Sequence, residues 1–231
     1  MLAFSSLLGN VEGQNIYRIW YDKPASYWEE ALPVGNGRIA AMVFGDPQLE
    51  QIQLNEETVS AGSPYQNYNE EAKTALPEMR RLIFEGKYEE AQNMAATKIL
   101  SQVGNEMPYQ TVGRLNIRYQ DHKKVNNYYR DLDISNAVAV TRYEVDGVEF
   151  TEETFASFTD QLVIRHIKAS KPGTINCELF FNTPMRDPKR SIYGKKGLRL
   201  EGITHGSRYF PGKVHYCACL LYTSPSPRDR T

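Results

Sequence analysis

The residues best placed to do chemistry are four polar side chains in two short segments near the start of the chain: Asn36, Arg38, Asn55 and Glu56. A carboxylate can act as a general acid or base, and an amide or a guanidinium can hold a hydroxyl-bearing ligand by hydrogen bonds. Glu57 follows Glu56, but successive strand residues point to opposite faces, so these two carboxylates do not form a facing acid–base pair. The four side chains are therefore interpreted as residues that brace a domain interface or border a substrate cleft, and bracing is favoured.

Two predicted strands carry these segments. The loop Ala31–Arg38 contains Pro33, which fixes one φ angle, and two glycines that allow unusual backbone conformations. The apolar run Ile39–Phe44 predicts a strand buried on both faces. Glu50–Leu54 alternates polar and apolar residues, which predicts a second strand that ends at the Asn-Glu-Glu sequence. Trp28 precedes the loop, and a packed core indole is favoured there over an exposed platform on which a ligand ring could stack.

A helical insertion is predicted at residues 70–100. Asn69 is a candidate N-cap, and apolar residues keep helical spacing on both sides of Pro77, which should divide the helix in two. Gly86 should end the second segment, and Tyr88–Leu100 predicts a further helix. The insertion is expected to decorate a β-rich domain.

From Val112 onward the sequence predicts short strands separated by turns. Ala137–Val145 and Val148–Phe155 flank Asp146-Gly147, a two-residue loop of the type that closes β-hairpins. Further strands are predicted at residues 161–169, 174–182 and 198–203. The predicted fold class is therefore mainly β, a large antiparallel β-sandwich with a short helical insertion.

The segment ALPVGNGR…MVFG, followed by QLNEET…AGSPYQNYN, resembles the N-terminal domain of glycoside hydrolase family 95, the inverting α-L-fucosidases. The resemblance continues through LPEMRRLIFEGKYEEAQ, YRDLDISNAVAVTRYEVDGVEFTEETFAS and DQLVIRHIKASKPG, and it covers about residues 16–218. The family usually has an aromatic residue after LNEETV, where this chain has Ser60. The resemblance implies that the catalytic acid and base lie in a later (α/α)6 barrel, so no catalytic residue is assigned to this chain.

The resemblance also implies a function. The full-length protein would be an enzyme, an α-L-fucosidase-like hydrolase that releases terminal fucose or a related L-sugar from a fucosylated oligosaccharide or polysaccharide. The present chain would be inactive alone, and its other partner would be the missing catalytic barrel of the same protein. The alternative is a stand-alone carbohydrate-binding β-sandwich that presents aromatic residues such as Trp28, Tyr65 and Tyr68.

Composition excludes several other classes of function. The net charge is −1, and basic residues adjoin one another only in pairs such as Lys123-Lys124 and Lys195-Lys196, which argues against a nucleic-acid partner. No apolar run approaches the roughly 20 residues of a membrane-spanning helix. The 4 histidines and 3 cysteines show neither a nucleophile–base pairing nor metal-ligand spacing. No cofactor and no metal site are therefore predicted.

Both ends of the chain are set apart from the predicted domain at residues 16–218. Residues 1–15 are interpreted as the remnant of a signal peptide, because Met1–Gly9 is apolar although it lacks a positively charged start. With the habit of the family, this segment predicts a periplasmic or secreted protein. Residues 219–231 contain a Ser-Pro-Ser-Pro tract and resemble the translation of a transposase-type sequencing adapter. A natural linker and a frameshift are the alternatives.

Overall fold

A computed structural model describes residues 17–62, 66–101, 107–206 and 211–223. These residues divide into two compact units, one made of residues up to 54 with 114–182, the other of residues 55–113 with those from 183 onward. The apolar segment 1–9, Tyr65 and residues 224–231 lie outside the described residues. The predictions that concern those segments stay predictions.

The first unit contains two five-stranded antiparallel sheets. The first sheet has the order β1-β6-β7-β8-β9. Its strands are β1 (Arg18–Tyr21), β6 (Val125–Asp133), β7 (Val138–Val145), β8 (Val148–Ser157) and β9 (Leu162–Ala169). The second sheet has the order β10-β5-β4-β3-β2. Its strands are β2 (Leu32–Gly35), β3 (Ile39–Val43), β4 (Leu49–Glu56), β5 (Gly113–Tyr119) and β10 (Cys177–Asn182). Because β2 and β3 pack on β7 and β8, the two sheets form the predicted sandwich.

The β7–β8 hairpin supplies part of the core of this sandwich. Its turn residues Asp146 and Gly147 have φ angles of 49° and 71°. Two consecutive positive φ angles are what a type I′ turn requires, so the predicted hairpin is confirmed. Alternate residues of the two strands then point inward and form one buried cluster: Tyr143, Val145, Val148 and Phe150.

Residues Leu32–Gly35 of the predicted loop Ala31–Arg38 form strand β2, so the loop prediction was wrong there, and only residues 36–38 form a loop. Leu32 and Val34 are buried while Pro33 between them is exposed, which is the alternation of a strand with one buried face. Proline is tolerated because β2 is the edge of its sheet, where a missing N–H costs no ladder hydrogen bond. The prediction that β3 is buried on both faces also fails, since Ala40 is exposed.

The second unit combines the helical insertion with a small sheet. Its elements are α1 (Ala72–Phe84), α2 (Tyr88–Met94), a π-helical turn (Ala95–Ile99), and the sheet of β11 (Arg186–Ile192), β12 (Gly197–Ile203) and β13 (His215–Leu221). The predicted insertion is therefore confirmed. The end of β13 contains Cys219–Leu221, and the prediction about their origin is untested. None of the helices in the described ranges is both long and apolar enough to cross a membrane.

Helix α1 continues through Pro77, so the predicted break was wrong. Proline removes the hydrogen bond to the carbonyl four residues earlier, which belongs to Lys73 in the first turn of α1. Lys73 is exposed, so water can satisfy that carbonyl. Asn69 does not cap α1 directly, because its side-chain oxygen accepts from the N–H of Glu71, 3.0 Å away, in the turn before the helix.

Candidate functional site

Asn36 fixes the loop between β2 and β3. Its Oδ1 accepts hydrogen bonds from the backbone N–H groups of Arg38 and Ile39, at 3.1 and 2.9 Å. Its Nδ2 donates to the backbone carbonyl of Ser157, 2.8 Å away at the end of β8 in the facing sheet. The side chain is only 9% exposed. Its polar atoms are therefore used to brace the loop and to join the two sheets.

Arg38 is at the exposed tip of the same loop. Gly37 next to it has a φ angle of 89°, which a residue with a Cβ atom adopts only with strain. The loop therefore needs glycine at this position for its shape. The exposure of Arg38 leaves its prediction as a cleft or interface residue open.

Asn55 and Glu56 are the last residues of β4 and not part of a loop beyond it. One carboxylate oxygen of Glu56 accepts from the backbone N–H and the hydroxyl of Thr58, at 2.8 and 2.5 Å. The phenol of Tyr109 donates to the backbone carbonyl of Glu56 over 3.0 Å. Oδ1 of Asn55 is buried and lacks a hydrogen-bond partner in the part of the chain that the structure describes.

The four predicted polar residues do not all belong to one unit. Asn36 and Arg38 are in the first unit, whereas Asn55 and Glu56 are in the second, because the division between the units cuts strand β4 after Leu54. The Glu56 carboxylate accepts hydrogen bonds within its own turn. Glu56 carries the carboxylate that the sequence placed best for acid–base chemistry, and these contacts give it a structural role.

Trp28 is half-exposed, so the favoured prediction of a packed core indole was wrong. It begins a short 3-10 turn, Trp28–Glu30, and its side chain is 49% exposed. It lines a cavity of about 250 Å³ together with Phe44, Gln51 and Arg114. All of these residues belong to the first unit. The exposure is set by neighbours from β4 and β5, which a local sequence pattern does not reveal.

A buried ionic cluster lies between the two sheets, and sequence reasoning missed it. Glu50 and Glu152 are 0% and 1% exposed, and both bind the same guanidinium nitrogen of Arg165. The Glu50–Arg165 distance is 2.8 Å. The other oxygen of Glu50 accepts from the N–H groups of Phe44 and Gly45, at 3.1 and 2.9 Å. Three donors, two backbone N–H groups and one guanidinium nitrogen, therefore hold a carboxylate that water does not reach.

Tyrosines and a histidine complete this cluster. The phenols of Tyr119 and Tyr143 donate to one oxygen of Glu152 over 2.6 and 2.7 Å. The ring of His122 stacks on Tyr119 at 4.3 Å, and its Nδ1 lies 3.0 Å from the carbonyl of Pro47. Burial lowers the pKa of His122, which favours the neutral ring with Nδ1–H donating to that carbonyl.

Burial also sets the protonation of the ionic cluster. It raises the pKa of Glu50 to about 7, although the charge of Arg165 acts in the opposite direction. For Arg165, burial disfavours the charge, but the two carboxylates outweigh it and raise the pKa. One guanidinium faces two carboxylates, so a proton on Glu50 makes the cluster neutral.

The two carboxylates of this cluster are unsuited to glycoside chemistry. A general acid and base must flank a substrate bond with room for the sugar and, in inverting enzymes, for a water. Glu50 and Glu152 instead share one guanidinium inside the sandwich. The sequence signal that could have found these two carboxylates is their position in the strands. Glu50 lies on the same strand face as the core residue Ile52, and Glu152 on the same face as Phe150.

The described residues contain no group of three or more His, Cys, Asp or Glu side chains arranged to hold a metal ion. The 3 cysteines are free, and Cys217 and Cys219 face each other across 3.7 Å on β13.

Comparison with known proteins gives a family and several relatives. Residues 19–220 match the family model described as glycosyl hydrolase family 65, N-terminal domain. Alpha-L-fucosidase 2 of Arabidopsis thaliana is 37% identical over 181 residues, which cover 76% of this chain and 21% of that protein. The probable alpha-fucosidase A of Aspergillus niger is 26% identical over 162 residues, which cover 66% of this chain and 20% of that protein.

The chain thus spans about a fifth of the length of the curated relatives that it matches, 21% and 20%. The match runs through both sheets of the sandwich, the helical insertion and the small sheet, since it covers residues 19–220. The chain belongs to the family described as the N-terminal domain of glycosyl hydrolase family 65, and its resemblance to the N-terminal domain of glycoside hydrolase family 95 α-L-fucosidases is confirmed.

Proposed function

We propose that this chain is the non-catalytic N-terminal domain of an inverting α-L-fucosidase-like glycoside hydrolase. The complete protein would release terminal fucose, or a related L-sugar, from fucosylated oligosaccharides or polysaccharides. Its acid and base would lie in a helical barrel outside these 231 residues. The observation that carries the proposal is the 37% identity to alpha-L-fucosidase 2 of Arabidopsis thaliana over 76% of the chain.

Two buried carboxylates of the first unit support a non-catalytic role. Glu50 and Glu152 are enclosed in the sandwich and saturated by Arg165, the tyrosine phenols and backbone N–H groups. In the second unit, Glu56 is bound by Thr58 in its own turn. An acid–base pair of the required separation is therefore expected from another part of the complete protein. Export of that protein is proposed from the apolar segment 1–9.

A hydrolysis assay tests the non-catalytic role. Purified chain is incubated with an aryl α-L-fucoside, with alpha-L-fucosidase 2 of Arabidopsis thaliana as the positive control. We expect release of the aryl group at the uncatalysed rate, with no difference between the wild type and Glu56→Gln. Hydrolysis by the wild-type chain that Glu56→Gln abolishes would place the chemistry in this domain and overturn the proposal.

The alternative is a stand-alone carbohydrate-binding sandwich with aromatic residues on an exposed face. Of the three aromatic residues proposed for it, Trp28 and Tyr68 are exposed, and Tyr65 lies outside the described residues. One observation favours a sugar-binding role for Trp28: its side chain lines a cavity together with polar side chains.

A further inference from the structure

The cavity beside Trp28 lies on the face of the second sheet that points away from the sandwich core. Gln51 is on the opposite face of β4 from the buried Ile52, and Arg114 is on the opposite face of β5 from the buried Leu115. The segment Ala25–Trp28 forms the wall above them. Its volume of about 250 Å³ lies below the roughly 300–1,000 Å³ of pockets for drug-sized ligands. The cavity therefore has room for one six-membered ring.

The wall carries two aromatic residues on a segment whose backbone is tied to the protein by hydrogen bonds. Trp28 and Tyr27 are 49% and 57% exposed. The backbone N–H of Ala25 donates to the carbonyl of Phe44 over 2.9 Å, which ties the segment to the sheet. The N–H of Ser26 donates to the Glu30 carboxylate over 2.8 Å. An exposed indole on such a tethered segment offers a large apolar surface at little cost in conformational entropy.

The floor carries polar groups that are fixed in position. The guanidinium of Arg114 lies 5.7 Å from the centre of the Phe44 ring and donates to Oε1 of Gln51 over 2.9 Å. Oδ1 of Asp46 accepts from the N–H groups of Gln48 and Leu49, at 2.8 and 3.1 Å, so its carboxylate is also oriented. Arginine, glutamine and aspartate have planar ends that pair with neighbouring hydroxyl groups.

The charges of the lining decide between classes of ligand. Asp46 contributes one negative charge and Arg114 one positive charge. An anion would meet the carboxylate and a cation would meet the guanidinium, whereas a neutral polyol can use both without an uncompensated charge. We propose that this cavity binds one neutral pyranose ring of a glycan, with an apolar face against Trp28 and hydroxyl groups on Asp46, Gln51 and Arg114. The site goes beyond the proposed function, because it needs neither hydrolysis nor a further domain.

Intrinsic fluorescence tests this site directly, because the chain has only 2 tryptophans. Trp20→Phe leaves Trp28 as the single reporter, and Trp20 stacks on Tyr129 in the other sheet, outside the cavity. We expect a saturable change of Trp28 emission when this variant is titrated with methyl α-L-fucopyranoside. Glucuronate and glucosamine are the charged comparison ligands, and both should bind more weakly.

Two further variants separate binding from simple exposure of the indole. Arg114→Ala and Gln51→Ala, each made in the Trp20→Phe background, keep Trp28 but remove polar contacts, and each should weaken association about tenfold. Glu29→Ala, a change at an exposed residue outside the lining, should leave it unchanged. Circular dichroism checks that each variant is folded, and Gln51→Ala carries the test if Arg114→Ala does not fold.

Three results would overturn the proposal. They are the absence of a saturable response to the neutral sugar, an equal response in the folded polar-to-alanine variants, and tighter binding of glucuronate or glucosamine. None of these results bears on the proposed hydrolase, which is tested by activity and by the gene.

Discussion

At the residue scale, the side chain of Asn36 stabilises the loop between β2 and β3 and joins the two sheets. Asn36→Ala would leave the N–H groups of Arg38 and Ile39 and the carbonyl of Ser157 without their partner. An unsatisfied buried polar group costs more than the hydrogen bond itself contributes, so we expect a loss of about 2–4 kcal/mol in the free energy of unfolding. Urea titration measures this loss. The control Gln48→Ala, at an exposed side chain, should change stability by less than about 0.5 kcal/mol. Equal effects would contradict the role of Asn36.

Glu50 should make the stability of the chain depend on pH. Its pKa is about 7 in the folded protein, against 4.5 for the ordinary carboxyl. The folded state therefore holds a proton that the unfolded state lacks between these values. The stabilising contribution of this group is full below pH 4.5 and is lost as the pH rises through 7.

The neutral variant Glu50→Gln tests this dependence. The difference in unfolding free energy between the wild type and Glu50→Gln should change by an amount on the order of 2 kcal/mol between pH 5 and 8, with the wild type relatively weaker at pH 8. Chemical denaturation at both pH values provides the measurement. His122 acts in the opposite direction below its ordinary pKa in both proteins, because burial disfavours its charged form, and it cancels in the difference. A difference that does not vary with pH would refute a proton on Glu50.

Local sequence rules predict the structural role of some of these residues but not of others. The Asn-Gly pair at Asn36 marks a tight loop, so its structural role was predictable. The strand positions of Glu50 and Glu152 point to burial, but no local pattern identifies Arg165 as the partner that a buried charge requires. Glu152 and Arg165 lie 102 and 115 residues after Glu50 in the chain (152 − 50 and 165 − 50). Such a partnership is visible only after the sheets have packed.

At the element scale, turns with a left-handed backbone mark the ends of strands. Gly45 has a φ angle of 75°, and a Cβ atom there would lie 2.8 Å from the Tyr128 hydroxyl and 2.9 Å from Arg130 Cδ. Gly147 has a φ angle of 71°, but a Cβ atom there would meet nothing within 4 Å. The two glycines therefore share the backbone strain of a substitution and differ in the available space.

Alanine at these two glycines gives a matched pair of variants. Gly147→Ala should lower the free energy of unfolding by about 1 kcal/mol, because only the left-handed backbone is strained. Gly45→Ala should lower it by about 3 kcal/mol or more, because a clash in a packed region is added. Thermal and urea denaturation of both variants give the comparison. Similar losses would show that Tyr128 and Arg130 do not crowd Gly45.

The elements that sequence reasoning predicted correctly are those with local signals. The β7–β8 hairpin was found because Asp146-Gly147 fixes its turn, and α2 was found because Gly86 precedes it. The two predictions based on proline were wrong for one physical reason, which is that the missing N–H costs little at either position. Pro33 is on an edge strand, and Pro77 removes a hydrogen bond from an exposed first turn. Whether a missing N–H matters depends on its partner, which the surrounding structure decides.

At the scale of the whole molecule, patterning predicted the mainly β fold and the helical insertion. The division of the chain into two units was not predictable from the sequence, because the chain passes from one unit to the other near residues 54, 113 and 182. No composition change marks those points, and the units are made by contacts between distant segments. The cavity beside Trp28 has the same origin, since its lining combines residues 25–51 with Arg114.

The gene itself shows whether this chain is the N-terminal domain of a larger fucosidase-like hydrolase. We would read the source DNA past codon 218 from a library made without transposase adapters. We expect an open frame of several hundred further codons with helical periodicity and well-separated Glu and Asp residues. A stop codon shortly after codon 218 would contradict it and leave a small sandwich protein whose function must lie within its own residues.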